Sequence, residues 1–198
     1  MRRGYPLIFA LVFVFHIGLS ALPAVLMKNG KTGAGILIYK YYSILCHQLP
    51  QRSYFLFGEQ PWYPLNVPED STLISFEAAA GFVPGFSSGR AFYGTTEMGY
   101  KMAICQRDVA IYGAMALFCL LFAVTGKRIP RPHWIFPLLI GVIPITIDGC
   151  SQLLGNTFPN IFPVRESTPV LRTVTGALFG FCLCWYLFPW LEMTMDKE

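Results

Sequence analysis

Charge is scarce in this chain. Only 13% of its 198 residues are charged, about half the share carried by a soluble globular domain. The net charge of +4 is scattered between apolar runs and forms no basic patch, which argues against a nucleic-acid partner. Internal repeats and low-complexity tracts are missing, and the 18 Gly and 15 Pro follow no period, so solenoid, collagen-like and disordered classes fall away. A phosphate-cradling glycine loop, a His-Glu-x-x-His helix and a Cys-x-x-Cys-His haem site are absent as well. Nucleotide, zincin and c-type haem chemistries therefore have no foothold.

What the chain has instead is apolar length: 54% of its residues are hydrophobic and 16% aromatic. Four apolar runs, at about 5–27, 105–126, 134–155 and 170–191, are each long enough as a helix to cross roughly 30 Å of hydrocarbon. The expectation is an all-α integral membrane protein, one membrane domain over residues 1–198, with four transmembrane helices. An extracytoplasmic cap of short helices and loops, about 28–104, separates spans one and two. Arg2 and Arg3 before the first run, with Ala21 and Ala24 near its end, also suit a signal peptide. The run exceeds the usual h-region of about 7–15 residues, which favours a retained span.

The second helix is expected to begin above the membrane, with Lys101 to Asp108 as its first turns, and Ala34 to Cys46 to form an interfacial helix. On that helix Ile38, Tyr41, Tyr42 and Leu45 share one face and Lys40 snorkels. Arg2, Arg3, Lys127, Arg128 and Arg131 fall on one side of a four-span chain, so the positive-inside tendency places both termini in the cytoplasm of a cell carrying the protein in its cell membrane. The cap holds Trp62, Tyr63, Phe76, Phe82, Phe86, Phe92, Tyr93 and Tyr100, with Pro61, Pro64, Pro68 and Pro84 as breakers. That is too aromatic for a solvated linker.

Polar residues that a membrane tolerates poorly gather near the outer end of the spans. They are Cys46, His47, Gln48 and Arg52 before span two; Cys105, Arg107, Asp108 and Tyr112 at its start; Asp148 and Gln152 in span three; and Arg172 in span four. On a helix Cys105, Asp108 and Tyr112 share a face, as do Asp148, Gln152 and Gly155. Asp148 lies deep enough to need a partner, for which Arg107 and Arg172 are the candidates. Cys46, His47, Cys105 and Asp108 are donors of the kinds a zinc ion takes. Cys46 and Cys105 also suit a disulfide in an extracytoplasmic compartment, and a thiol beside His47 or Arg107 suits redox chemistry. Cys119, Cys150, Cys182 and Cys184 read as buried apolar cysteines, His16 as a core histidine, His133 as part of an interfacial belt, and Gly176-x-x-x-Gly180 as a helix-packing stripe. Pro144, one turn before Asp148, removes a helical hydrogen bond.

Cys46-His47-Gln48, Arg52-Ser53-Tyr54-Phe55, Gly58, Glu97-Met98-Gly99-Tyr100-Lys101, Cys105-x-Arg107, Ile111-Tyr112-Gly113, Asp148-Gly149-x-x-Gln152 and Arg172-x-x-Thr175-Gly176 together resemble an uncharacterised family of small prokaryotic integral membrane proteins with a Cys-His-Gln signature. The resemblance implies a membrane protein and no established activity. Where many relatives read Cys-x-Arg-Cys, this chain has Cys105-Gln106-Arg107-Asp108. Three functions stay open at this level. One is a binding component or subunit that contacts membrane lipids and a partner subunit or second copy. Another is an interfacial enzyme, either a thiol/quinone oxidoreductase or a metal-dependent lipid-modifying enzyme. The third is an oligomeric transporter.

Overall fold

The computed structural model describes residues 4–67, 71–125, 128–158, 160–163 and 165–195. Arg2, Arg3 and Lys127, the Pro68 breaker and the Gly126 end of the second expected span lie outside these residues. In chain order the elements are α1 (Tyr5–Lys28), α2 (Thr32–Tyr42), a 3-10 turn (Pro50–Arg52), β1 (Ser53–Leu56), α3 (Phe76–Ala80), α4 (Phe86–Ala91), β2 (Gly94–Thr95), β3 (Gly99–Cys105), α5 (Gln106–Val124), a π-helical turn (Pro137–Val142) continuous with α6 (Ile143–Thr157), and α7 (Pro169–Met195). Among the described residues four helices are long and apolar enough to cross a membrane: α1, α5, the helix Pro137–Gly155 and α7. Large apolar side chains such as Leu11, Phe15, Val124, Ile147 and Val170 stand exposed on them, as lipid-facing positions do. The protein is a multi-pass membrane protein built mainly of helices.

The chain forms two compact units. One comprises Met1–Ile17 with Arg107–Glu198, the other Gly18–Gln106. In the first, Ala10, Phe118, Cys119, Phe122, Cys184 and Phe188 make a buried core, with Phe118 edge-on to Phe181 at 5.2 Å. The stripe Gly176-x-x-x-Gly180 brings α7 against the backbone of α5. A Cβ at Gly176 would lie 2.7 Å from the Arg107 carbonyl oxygen, and one at Gly180 2.3 Å from that of Ile111. Gly141, in the π turn, approaches Cys182 as closely, with a virtual Cβ 2.9 Å from the Cys182 Cβ. The wide turn ends where Pro144 lacks an N–H, so the helix absorbs the missing donor by rewinding. Cys150 is exposed and not buried as expected.

The second unit departs from the expectation of helices and loops alone, because it holds a three-stranded antiparallel sheet with β3 in the middle. β1 pairs with β3 from Ser53↔Cys105 to Leu56↔Tyr100 through a bulge, and β2 pairs with β3 at Gly94↔Tyr100 and Thr95↔Gly99. Residues 101–105, expected as the first turn of a helix, are therefore strand, and the spanning helix begins at Gln106. Gly99 starts the strand at φ +77°, where a Cβ would lie 2.3 Å from the Leu56 carbonyl oxygen, so no larger residue fits there. Phe55, Tyr63, Phe76 and Met98 form the core of this unit, with Phe76, Phe82 and Phe92 in mutual edge-on contact. α2 is a helix as expected but ends at Tyr42. That residue is fully buried, so the exposed apolar set is Leu37, Tyr41, Ile44 and Leu45.

Replacing Gly180 by Leu should force α7 off α5 and lower stability by about 3 kcal/mol. Gly113→Ala, where nothing lies within 4 Å of the added Cβ, should leave it unchanged. Thermal melts of the two variants in one detergent test the contrast.

Candidate functional site

The site residues fall into two groups, one in each unit. In the second unit the centre is Lys101 on β3, fully buried. Its Nζ donates to the carbonyl oxygens of Gln48 (2.7 Å), Gly89 (3.1 Å) and Arg90 (3.1 Å), which occupies all three ammonium protons. The Lys101 carbonyl accepts the Tyr39 hydroxyl at 2.5 Å, and the Gln48 side-chain amide donates to the Tyr39 carbonyl at 2.8 Å. Gln48 takes a left-handed backbone, φ +56°, which turns its own carbonyl onto the lysine. Burial drives the Lys101 amine down to about 7; a Cys46 thiolate nearby opposes that shift and the Arg90 guanidinium adds to it. Burial likewise pushes the Tyr39 phenol well above its ordinary range, helped by Tyr93, whose ring stacks on it at 4.6 Å.

Cys46, which follows α2, and Cys105, at the end of β3, bring their sulfurs within 4.8 Å of each other. Cys46 is buried and Cys105 half-buried. His47 is exposed, with its ring 5.5 Å from that of Phe86, and half-buried Arg52 closes the 3-10 turn before β1. The Cys46 N–H donates to the Tyr42 carbonyl at 2.9 Å, so Cys46 still belongs to the turn that ends α2 and is buried, while the next residue, His47, is exposed.

In the first unit the centre is Asp148 on α6, 3% exposed. Its Oδ2 receives Arg107 from the first turn of α5 and the Ser167 hydroxyl at 3.0 Å, and its Oδ1 lies 3.5 Å from the Arg165 guanidinium. Gln152, one turn on, donates to the Asp148 carbonyl at 3.0 Å, and Ser151 does so at 3.1 Å while accepting from Arg165 at 2.7 Å. Asp148 and Gln152 thus share a buried face, as their spacing predicts. Arg107 is the expected partner of Asp148. Arg172 is not: it is buried and pairs with Glu166. The connection between α6 and α7 supplies Glu166, and it directs Arg165 and Ser167 to the carboxylate in place of Arg172. Asp108 lies in the first turn of α5, and Tyr112 packs edge-on to His16 at 4.6 Å.

Residues 90–186 match DUF2085, a family described as predicted membrane protein. That stretch, a little under half of the chain, is similar to the family. The DUF2085 stretch takes in Lys101, Cys105, Arg107, Asp108, Asp148, Gln152 and Arg172, and it begins after Cys46, His47, Gln48 and Arg52. The uncharacterized protein MJ1492 of Methanocaldococcus jannaschii is 26% identical over 207 aligned residues, which cover 100% of this chain and 99% of that protein. No solved structure matches the chain.

Three polar residues of the DUF2085 stretch escape a reading by span: Arg165, Glu166 and Ser167. Their only signal is that they stand together, Arg-Glu-Ser, just before Arg172. A second overlooked pattern is Gly85-Phe86-Ser87-Ser88-Gly89, which spells Gly-x-Ser-x-Gly. It is not a nucleophile elbow, since its central Ser87 lies within α4, which follows a Pro84-Gly85 loop and no strand.

Asp148→Ala should cost about 3 kcal/mol, because it leaves half-buried Arg107 and the buried Ser167 hydroxyl without their carboxylate. Arg165→Gln should cost under about 1 kcal/mol, since that side chain is 42% exposed. Lys101→Met, which removes the donor from three buried carbonyls, should cost about 3 kcal/mol or more. Denaturant titration of the detergent-solubilised variants gives the order.

Proposed function

We propose that the protein is a non-enzymatic component of a cell membrane. In this reading it is one membrane domain over residues 1–198 with both termini cytoplasmic, and its 28–104 segment lies outside as the docking element for a partner membrane subunit or a second copy. The observation that carries the reading is the pair of sulfurs, Cys46 in that segment and Cys105 directly after it, within 4.8 Å at the end of span two assigned to the outer compartment. There a disulfide persists, and its bond would require the sulfurs to close to roughly 2.05 Å. Closing a loop from residue 46 to 105 would stabilise that segment by about 4 kcal/mol on the chain-entropy account.

The buried polar centres of the two units, each taken by itself, support a structural role. Lys101 gives its three protons to carbonyls and Asp148 receives Arg107, Arg165 and Ser167, so neither stands as a base over open space. A zinc centre is the second reading, favoured by the same proximity, since two thiolates on one tetrahedral zinc stand roughly 3.7 Å apart.

Intact mass spectrometry without reductant or chelator tests both. A chain two hydrogens lighter than its sequence, restored to full mass by Cys105→Ser, is the expected result. A metal adduct lost in Cys46→Ser and in Cys105→Ser would establish the zinc reading instead. A full-mass, metal-free chain from an oxidising compartment would overturn both. Reporter fusions at the C-terminus and within 28–104 should report opposite sides of the membrane.

A further inference from the structure

Residues 128–142, with the middle and last turns of α7, form two cavities that share a wall. One, of about 700 Å³, is lined by Arg128, Arg131, His133, Trp134, Glu192 and Met193 among others. The other, of about 310 Å³, is almost wholly apolar and is lined by Trp134, Leu138, Val142, Phe179, Leu183 and Tyr186 with Pro137 and Cys182. Trp134 belongs to both, and Arg131 joins them by lying over the Tyr186 ring, 4.3 Å from its centroid, while donating to its hydroxyl.

We infer that this pair of cavities is a binding site for a single anionic phospholipid, with the phosphate on Arg128 and Arg131 and an acyl chain in the groove between the π turn and α7. Position supports it: α5 ends at Val124 and the next span starts at Pro137, so the loop lies at the level where Trp and Arg meet lipid headgroups. Charge supports it too. Two guanidiniums face one carboxylate, Glu192, which already accepts the Tyr5 hydroxyl at 2.8 Å, and guanidinium is the donor suited to a phosphate. The groove is preformed, because Gly141 of the π turn is seated directly on Cys182 and fixes its floor. A zwitterionic lipid would fill the groove without the charge match. A soluble phosphate would meet the arginines and leave the groove empty. Only a lipid bearing net negative charge uses both.

The test is native mass spectrometry of the full chain in mild detergent, titrated with phosphatidylglycerol and with phosphatidylcholine of identical chains. One retained phosphatidylglycerol, preferred roughly twentyfold, is the expected result. Arg128→Gln, which leaves the Arg131–Tyr186 contact in place, should lower that preference about fivefold, and Arg128→Gln with Arg131→Gln should abolish it. Leu183→Trp, which fills the groove, should release both lipids. Equal retention of the two lipids, a preference that survives the double variant, or displacement of the lipid by glycerol phosphate at matched concentration would each overturn the assignment, the last by revealing a site for soluble anions only.

Discussion

A carboxylate inside a membrane-spanning helix must be neutralised where it stands, and Asp148 sets the terms for much of the first unit. Isolated in hydrocarbon it would be protonated or would unfold its surroundings; flanked by Arg107, Arg165 and Ser167 it is held. Each partner then makes its own demand. The Arg107 guanidinium packs over Gly149, where a Cβ would meet Nη1 at an ordinary 3.4 Å, and the Arg107 backbone meets α7 at Gly176, where a Cβ would lie 2.7 Å from its carbonyl oxygen. Arg165 and Ser167 tie the α6–α7 connection down, and Glu166 between them is thereby delivered to buried Arg172. Five polar side chains and one glycine follow from one acid.

The second unit solves the mirror problem with different means. Lys101 is a buried cation with no counter-ion as its main partner. Three carbonyl dipoles surround it, contributed by Gln48, Gly89 and Arg90. Dipoles of a folded backbone can serve so only if the backbone is bent toward the charge, and the left-handed Gln48 is one such bend. Where Asp148 recruits charges, Lys101 recruits conformation.

How much of this could be read from the chain depends on the range of each interaction. Span lengths, the Gly176–Gly180 stripe, and the facing of Asp148 and Gln152 are properties of one helix, and periodicity reveals them. Arg107 as the partner of Asp148 was legible because few cations lie at that end of the spans. Arg165 escaped because it sits in a short connection where spacing carries no geometric information, and its presence moved Arg172 to another acid. β3 escaped for a different reason. Met102, Ala103 and Ile104 are buried on both faces of a central strand, and an unbroken apolar run of that kind cannot be told from the helix that follows it. Lys101 was the clue, since a lysine in such a run needs acceptors that only the middle of a sheet, with loops crossing its end, supplied.

The π turn at Pro137–Val142 has a bearing on how relatives of this protein should be aligned. A turn wound wider than α carries extra chain without extra height, so it sets the rotational phase of everything after it. Each α-helical residue advances the side-chain direction by about 100°. A relative with one residue fewer between Pro137 and Ile143 would present a neighbour of its aspartate toward its arginine unless it wound that turn as plain α. Gaps in alignments of this segment are therefore a record of winding, and an aligned acid after a gap marks a helix that has kept its phase.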